Sequence, residues 1–347
     1  MKIGLLTYHH SAASYGATLQ TYATCMALQH LGHDVEIIDF RLANRKSFLY
    51  NVVFSIKDIN TRKLWKKVYP SISEYFPDAK SLQEGKHCYD CLMVGSDQTW
   101  NPNISQDRCL EFFLNFGPKE IRRVSYASSF GVSSWPDRYQ HLVPQIKQLL
   151  SRFHAISTRE ETGREILKNV FGFESTIVID PTLLIDDYTA LSGAIVPNHQ
   201  LVTFIMNRTE NQLARVLEFS QIYGKKPVMT STIYPYKGFK YQYPPSIGKW
   251  LRNIGGADFV IVDSFHALVF CIKYRKQFLV ITPDDGLNSR LKGLLNTLGI
   301  ENRFFYDSDT QIPYQKLMKE RIDYRKIEGL LESFKQTSIS FIEDSLK

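Results

Sequence analysis

The sequence contains little cysteine and no long apolar run. Its five cysteines are scattered through 347 residues, and their odd number argues against a disulfide framework and fits a reducing compartment. Cys88 and Cys91 form a lone close pair, which is two ligands short of a zinc site. The most apolar segment, 259–272, is interrupted by an Asp, a Ser and a His, so it does not predict a membrane span. The chain start also lacks the apolar region of a signal peptide, and we expect a cytoplasmic protein.

Positive charge is concentrated in one segment. The net charge is +7, and residues 41–67 contain eight Lys or Arg against one Asp, so the remainder of the chain is close to neutral. No nucleic-acid-binding module accompanies the charge, and we expect no nucleic acid partner. Aromatic residues lie between these cations, which favours contact with an anionic membrane surface at about 1 kcal/mol per basic residue. A solvated helix face explains the same pattern equally well.

Strand and helix patterns alternate along the whole chain. Apolar segments 2–7 and 35–40 flank a helical pattern, which predicts a βαβ unit with two parallel strands. A break near 186–198 separates two such series, so we predict an α/β fold with two Rossmann-like domains facing a cleft. The predicted division is 1–187 with a basic insertion at 41–86, then 196–325, then a C-terminal helix at 326–347 that crosses back to the first domain.

Unusual polar residues follow several of these strands, where ligands of parallel sheets bind. In DSFHA, Ser264 can cap a helix and His266 can donate a proton or bind an anionic oxygen. Arg159, in STRE, can grip a carboxylate or phosphate through two hydrogen bonds, or it can simply pair with Glu160, Glu161 or Asp180. A structural role explains each of these residues about as well as a functional one.

Two further segments suggest ligand contacts. Gly16, in SYGATLQ, allows close approach of a ligand to the backbone at a helix start, but the motif is not a dinucleotide fingerprint, and Asp39 is a loose fit for a ribose. In VGSDQTWNP, hydrogen-bonding side chains lie next to Trp100, an arrangement typical of a sugar-binding surface. Asp97 in this segment can act as a base toward a hydroxyl. A structural loop is the alternative.

Seven segments together carry a family resemblance. They extend in order from residue 1 to about 303 and read KIGLLTYHHSAASYGATLQTYA, DCLMVGSDQTWNP, RRVSYASSFG, AISTREETG, VIDPTLLI, ADFVIVDSFHALVFCI and LNSRLKGLLNTLG. The chain resembles the polysaccharide pyruvyl transferase family. The combination is specific although no single segment is. It departs from the family at Ala267, where Gly usually follows the histidine.

The resemblance implies a pair of glycosyltransferase-B-like domains that transfer the enolpyruvyl group of phosphoenolpyruvate to sugar hydroxyls as a ketal and release phosphate. It implies that His266 is catalytic and that Arg159 contacts the donor, without any metal or redox cofactor. We expect Asp97 or Asp263 to take a hydroxyl proton. The expected donor-binding residues are Arg159, Ser264, His266 and Arg290. The expected acceptor-binding residues are Tyr15, Gly16, Ser96, Gln98, Trp100 and Asn101.

Two other functions remain open on the same scaffold, because a fold does not determine an activity. One is a glycosyltransferase that uses a nucleotide sugar, and the other is a non-catalytic scaffold of a polysaccharide-assembly complex. The acceptor of a pyruvyl transferase would be a sugar that is lipid-linked, nucleotide-linked or part of a finished polymer.

Overall fold

The structure is a computed structural model that describes residues 1–9, 14–41, 65, 68–231, 235–242 and 245–347. Its contacts divide the chain into two units. Unit 1 comprises residues 1–185 and 332–347, and unit 2 comprises residues 186–331. Each unit is α/β with a parallel sheet, as the alternating pattern predicts. Among the described residues, no helix combines the length and apolarity that crossing a membrane requires.

Unit 1 is built on a five-stranded sheet in the order β3-β2-β1-β4-β5, in which every pairing is parallel. A short pair, β6 and β7, continues beside β5 through single bridges. The strands are β1 (Lys2–Leu6), β2 (Asp34–Phe40), β3 (Ile72–Phe76), β4 (Cys91–Val94), β5 (Arg122–Ser125), β6 (Ser157–Thr158) and β7 (Thr176–Ile177). The unit's helices are α1 (Tyr15–His30), α2 (Ala79–Glu84), α3 (Pro102–Ser105), α4 (Val143–Leu150) and α5 (Glu161–Ile166).

The first βαβ unit forms as the sequence predicts. Its two strands pair in parallel, and α1 between them is buried along most of its length. The Ser14 side chain accepts a hydrogen bond from the backbone N–H of Ala17 and caps the helix start. The helix ends before Gly32, whose φ of +83° is the left-handed conformation that glycine adopts without strain.

Unit 2 contains a six-stranded parallel sheet in the order β10-β9-β8-β11-β12-β13. Its strands are β8 (Leu201–Phe204), β9 (Val228–Met229), β10 (Lys240–Tyr241), β11 (Phe259–Val262), β12 (Gln277–Thr282) and β13 (Phe304–Tyr306). Its helices are α6 (Thr189–Ser192), α7 (Glu210–Tyr223), α8 (Ile247–Gly256), α9 (Phe265–Lys273), α10 (Ser289–Thr297) and α11 (Tyr314–Lys319). The central strands β8, β11 and β12 are almost fully buried, which explains their continuous apolar sequences.

The last helix, α12 (Tyr324–Ser345), begins in unit 2 and ends in unit 1, as predicted for a C-terminal helix that crosses back. Hydrogen bonds join its second half to the rest of unit 1. The Ser338 hydroxyl accepts from the backbone N–H of Ile179, and the Ser345 carbonyl accepts from Arg122 Nη1. The observed division at 185 lies two residues before the predicted one, and α12 starts two residues earlier than predicted.

Some predicted elements are shorter or different in the structure. The apolar pattern of 122–131 predicts one strand over this segment, but β5 ends at Ser125, because the chain then turns through a series of small, buried polar residues. The mixture of cations and aromatic residues in 41–86 predicts short helices, yet residues 72–76 form the edge strand β3, which pairs in parallel with β2. The prediction of a membrane contact comes from the basic segment 41–67. Residues 42–64, 66 and 67 of this segment lie outside the described residues.

We predict that Ser338→Ala destabilises unit 1 by about 1–3 kcal/mol, because it leaves a buried backbone N–H without an acceptor. Urea denaturation with a spectroscopic probe measures this loss. Thr337→Ala is the matched control, since the Thr337 hydroxyl is exposed and bonds only within its own helix. Equal stability of the two variants would contradict this account of how α12 is anchored.

Candidate active site

The segments that follow β4 and β5 continue the parallel pairing of the sheet for a few residues beyond the strand ends. Single bridges join Asp97 to Ser128 and Ser128 to Thr158. This continued pairing brings together side chains from segments that are far apart in sequence. It places Asp97 and Arg159, both predicted from strand-end position, at the same edge of unit 1.

Arg159 is the centre of this edge, and its side chain is almost completely buried. Its Nη1 donates to Asp180 Oδ2 at 2.7 Å and to Ser96 Oγ at 3.3 Å. Its other nitrogens face two further carboxylates, with Nε 3.4 Å from Glu160 and Nη2 3.7 Å from Asp97. Burial lowers the pKa of the guanidinium, but the carboxylates of Asp180, Glu160 and Asp97 outweigh it and raise the pKa.

One cation therefore faces three acids, so acids outnumber cations within the group formed by Arg159, Asp97, Glu160 and Asp180. The expectation that Arg159 holds the donor is not supported by this arrangement, because its guanidinium is already bound by Asp180 and surrounded by acids that repel a phosphate. The structure shows instead the alternative of a paired arginine. Asp180 and Glu160 are in turn held by the hydroxyls of Thr182 and Ser129.

Asp97 is the most accessible acid of the group. Its φ of +81° is unusual for a residue with a side chain, and such strain occurs preferentially at functional sites. One carboxylate oxygen accepts from the backbone N–H of Gln98, and the side chain is 15% exposed. The Tyr8 hydroxyl, which the sequence analysis did not single out, is also buried at this edge. Burial and the charge of Asp97 raise the pKa of Tyr8, so it is a neutral hydroxyl.

The remaining predicted acceptor residues differ in accessibility. Gln98 lies directly over Gly131, where a Cβ atom would come within 1.9 Å of its amide oxygen, and this oxygen accepts from Asn101. Asn101 also caps α3. Ser96 is fully buried and donates to Asp180. Tyr15 and Gly16 are the first two residues of α1 and are buried.

The expectation that Trp100 stacks against a sugar is wrong. The ring has no exposed surface, stacks on Phe113 at 5.2 Å, and also contacts Phe130 and Phe153. Its indole N–H donates to the Phe112 carbonyl at 2.9 Å. Trp100 is thus a core residue. Its polar neighbours in sequence lie in the same tight turn but do not share its buried position.

A second buried ion group lies at the ends of β1 and β2. His9 Nε2 is 3.1 Å from Asp39 Oδ1, and Arg41 donates to both Asp39 oxygens at 2.5 Å. Burial raises the pKa of Asp39, but the bonds from His9 and Arg41 outweigh this and lower it to about 2. Both oxygens of the Asp39 carboxylate already bind His9 or Arg41, so Asp39 does not fit the role of a ribose ligand.

In unit 2 the predicted residues follow β11 and β12. His266 is the second residue of α9 and is buried, with its ring 5.4 Å from that of Phe265. Arg290, the second residue of α10, places its guanidinium carbon 5.9 Å from the same ring. Both side chains thus contact Phe265 at one edge of the sheet. Ser264 precedes α9, but its hydroxyl does not form the expected cap.

Asp263 does not suit the role of a base. Its carboxylate accepts hydrogen bonds from the backbone N–H groups of Met206 and Asn207 and from Gln212 Nε2. Burial raises its pKa, and these bonds oppose the rise. The carboxylate therefore anchors the loop that follows β8. Arg208 lies in this loop and was not recognised from the sequence.

Most of the residues that form these two edges lie within a region matched by a family model. The model described as polysaccharide pyruvyl transferase matches residues 15–285, which include Asp97, Arg159 and His266. The chain belongs to the polysaccharide pyruvyl transferase family. Arg290 lies just beyond the match. No curated protein sequence matches this pyruvyl transferase family member.

Solved structures similar to this family member share its fold at low identity. A Listeria monocytogenes protein assigned as a UDP-N-acetylglucosamine 2-epimerase is 12% identical, with a TM-score of 0.55 over 96% of this chain and 90% of that one. A Neisseria meningitidis UDP-GlcNAc 2-epimerase is 10% identical, with a TM-score of 0.51 over 100% and 99%. The spinosyn forosaminyltransferase SpnP is 11% identical, with a TM-score of 0.51 over 98% and 95%. These likenesses establish the glycosyltransferase-B type of fold that the sequence predicted.

We predict that Arg159→Met destabilises the protein by about 3–5 kcal/mol at pH 7, because two buried carboxylates and the partly exposed Asp97 lose their cation. Urea denaturation at pH 7 measures this loss. Arg164→Met removes an exposed arginine paired with Glu161 and is expected to cost less than about 1 kcal/mol. A similar cost for both variants would contradict the role given to Arg159.

We predict that Asp39 contributes to acid stability. Because its folded pKa of about 2 lies below its ordinary value of 3.8, its stabilising effect is present above pH 4 and is lost as the pH falls toward 2. Asp39→Asn lacks this effect and is less stable at neutral pH, with a shallower decline below pH 4. Thermal unfolding across this range tests it against the exposed control Glu84→Gln. Parallel curves for Asp39→Asn and the wild type would count against it.

Proposed function

We propose that this protein transfers the enolpyruvyl group of phosphoenolpyruvate to two hydroxyls of a sugar acceptor, forming a pyruvate ketal and releasing phosphate. The observation that supports this most directly is the position of His266, the second residue of α9, whose ring contacts Phe265 as the Arg290 guanidinium does, in a chain that belongs to the polysaccharide pyruvyl transferase family. An acid next to a cation is what a reaction on an anionic enol ester requires.

In the proposed reaction His266 is the general acid. It donates a proton to the methylene carbon of phosphoenolpyruvate, which leaves positive charge at C2, and an acceptor hydroxyl attacks C2 and gives up its proton. The C2–O bond to phosphate then breaks, and a second hydroxyl closes the ketal with loss of its proton. General acid catalysis of this kind contributes about 10²- to 10⁴-fold in rate.

Asp97 is proposed as the base that takes the hydroxyl proton. It is partly exposed, carries backbone strain and lies at the acid-rich edge of unit 1. Arg159 is proposed as a positioning residue that holds Asp97 and Asp180, in place of the donor contact implied by family resemblance. Tyr15, Gly16, Gln98 and Asn101 are retained as proposed acceptor-side residues near this edge. Ser96 has no exposed surface and donates to Asp180, so we propose that it positions this acid and does not contact the acceptor.

The proposed donor site is the carboxyl edge of unit 2, with Ser264, His266 and Arg290. The reaction is redox-neutral, and proton transfers with charge stabilisation account for every step, so we propose that no metal or redox cofactor takes part. The acceptor is proposed to be a polysaccharide or its precursor, with a lipid-linked precursor reached through the basic segment 41–67 as the specific form of that proposal.

The test is an assay of phosphate release from phosphoenolpyruvate against a panel of sugar acceptors, followed by NMR of the product. We expect release to depend on the acceptor and the product to show a ketal carbon. His266→Ala is expected to lower kcat by about 10²- to 10⁴-fold. His199→Ala, which removes an exposed histidine of the same unit, is expected to retain full activity.

Turnover of a nucleotide sugar without any release of phosphate from phosphoenolpyruvate would overturn the proposal and favour a glycosyltransferase. Full activity of His266→Ala would overturn the role of the histidine. Absence of any turnover together with partner capture would favour a scaffold.

A further inference from the structure

A further arginine, Arg208, lies at the carboxyl edge of unit 2, and neither the sequence motifs nor the family match assigns it a role. Arg208 follows β8, His266 follows β11 and Arg290 follows β12. These three strands are direct neighbours in one parallel sheet, in the order β8-β11-β12. Because neighbouring strands lie about 4.8 Å apart, their ends span about 10 Å, which suits a small anion.

The backbone at Arg208 is held in an unusual conformation. Its φ of +53° lies in the left-handed region that residues with a side chain seldom adopt. The backbone N–H of Arg208 donates to Gln212 Oε1 at 2.8 Å, and Gln212 Nε2 donates to Asp263 and to the Ile281 carbonyl. The loop after β8 is therefore fixed to the ends of β11 and β12. Such enforced strain often marks a residue placed for function.

Among the described residues, the hydrogen bonds of the Arg208 guanidinium are made by Nη1. Its Nη1 donates to the carbonyls of Ile205 at 3.1 Å and Ser231 at 3.3 Å, and the side chain is half-buried. Among the described residues, no carboxylate oxygen lies within ion-pair distance of its nitrogens. Asp263 is the acid that acts on it at longer range, and the oxygens of Asp263 are already taken by N–H groups.

Two other acids near this edge, Asp307 and Asp285, already accept hydrogen bonds. Asp307 accepts a hydrogen bond from the Thr209 hydroxyl, which itself caps α7. Asp285 accepts from the backbone of its own exposed loop. Arg208 therefore contrasts with Arg159, since its charge is held in place by neutral carbonyls while Arg159 is surrounded by acids.

We propose that Arg208 binds the phosphate group of the donor, next to His266 and Arg290, and so completes an anion site across the three neighbouring strands. This inference rests on the proposed function, in which the donor is phosphoenolpyruvate. A guanidinium presents parallel N–H donors that match two phosphate oxygens, and its charge offsets part of the three negative charges of the donor. Anchoring of Nη1 limits the freedom that the side chain would lose on binding.

The test compares Arg208→Met and Arg208→Lys with the wild type. We expect Arg208→Met to raise KM for phosphoenolpyruvate about 10- to 100-fold, as for loss of a charged hydrogen bond, and Arg208→Lys to recover only part of the loss. The control is Arg325→Met, because Arg325 is almost fully exposed in the same unit. Thermal unfolding without ligand verifies that each variant is folded.

A second measurement does not depend on turnover. Calorimetry measures the Kd for inorganic phosphate, and thermal unfolding measures the increase in Tm that phosphate causes. In Arg208→Met we expect the Kd to rise at least tenfold and the Tm increase to shrink. In Arg325→Met we expect both to be unchanged. Unchanged KM and unchanged phosphate binding in a folded Arg208→Met protein would overturn the proposal.

The two measurements separate this inference from the proposed function. If the wild type never releases phosphate from phosphoenolpyruvate but binds inorganic phosphate through Arg208, the anion site stands and the proposed reaction fails. If turnover occurs with normal KM in Arg208→Met, the reaction stands and the role of Arg208 fails.

Discussion

The burial of one guanidinium among three carboxylates is the constraint on which the site in unit 1 depends. Arg159 joins Asp97 after β4, its own neighbour Glu160 and Asp180 after β7, so it fixes three separate loops at one sheet edge. An unpaired charge at this depth would be very costly, and the cluster therefore forms as a whole. Its surplus of negative charge suits a base that accepts a hydroxyl proton and is unfavourable for a phosphate.

The edge of unit 2 has the opposite chemistry. Its buried acid Asp263 accepts hydrogen bonds from N–H groups, and Arg208, His266 and Arg290 follow three adjacent strands. We therefore propose that the acid-rich edge of unit 1 activates the acceptor hydroxyl and that the edge of unit 2 binds the anionic donor. Shared membership of a fold with epimerases and glycosyltransferases does not determine this division, which arises from the charges at the strand ends.

Much of the architecture follows from the sequence, because buried parallel strands such as 259–262 and helices such as α7 leave strong periodic patterns. Position after a strand also predicts that Asp97, Arg159 and His266 lie at sheet edges, and the structure places them there. Local pattern cannot reveal tertiary partners, so it cannot distinguish a paired Arg159 from one that binds a ligand, or a buried Trp100 from an exposed ring. It also misses Arg208, because the left-handed backbone and the bond to Gln212 that position it depend on neighbouring strands.

The central claim is that the donor anion binds at the cationic edge of unit 2. A crystal structure of the protein with phosphoenolpyruvate bound tests it most directly. The account predicts density for the phosphate in contact with Arg208 and Arg290, with the methylene carbon near His266 and with the Arg159 to Asp180 ion pair intact. Density for the phosphate on Arg159, with that ion pair broken, would contradict the account.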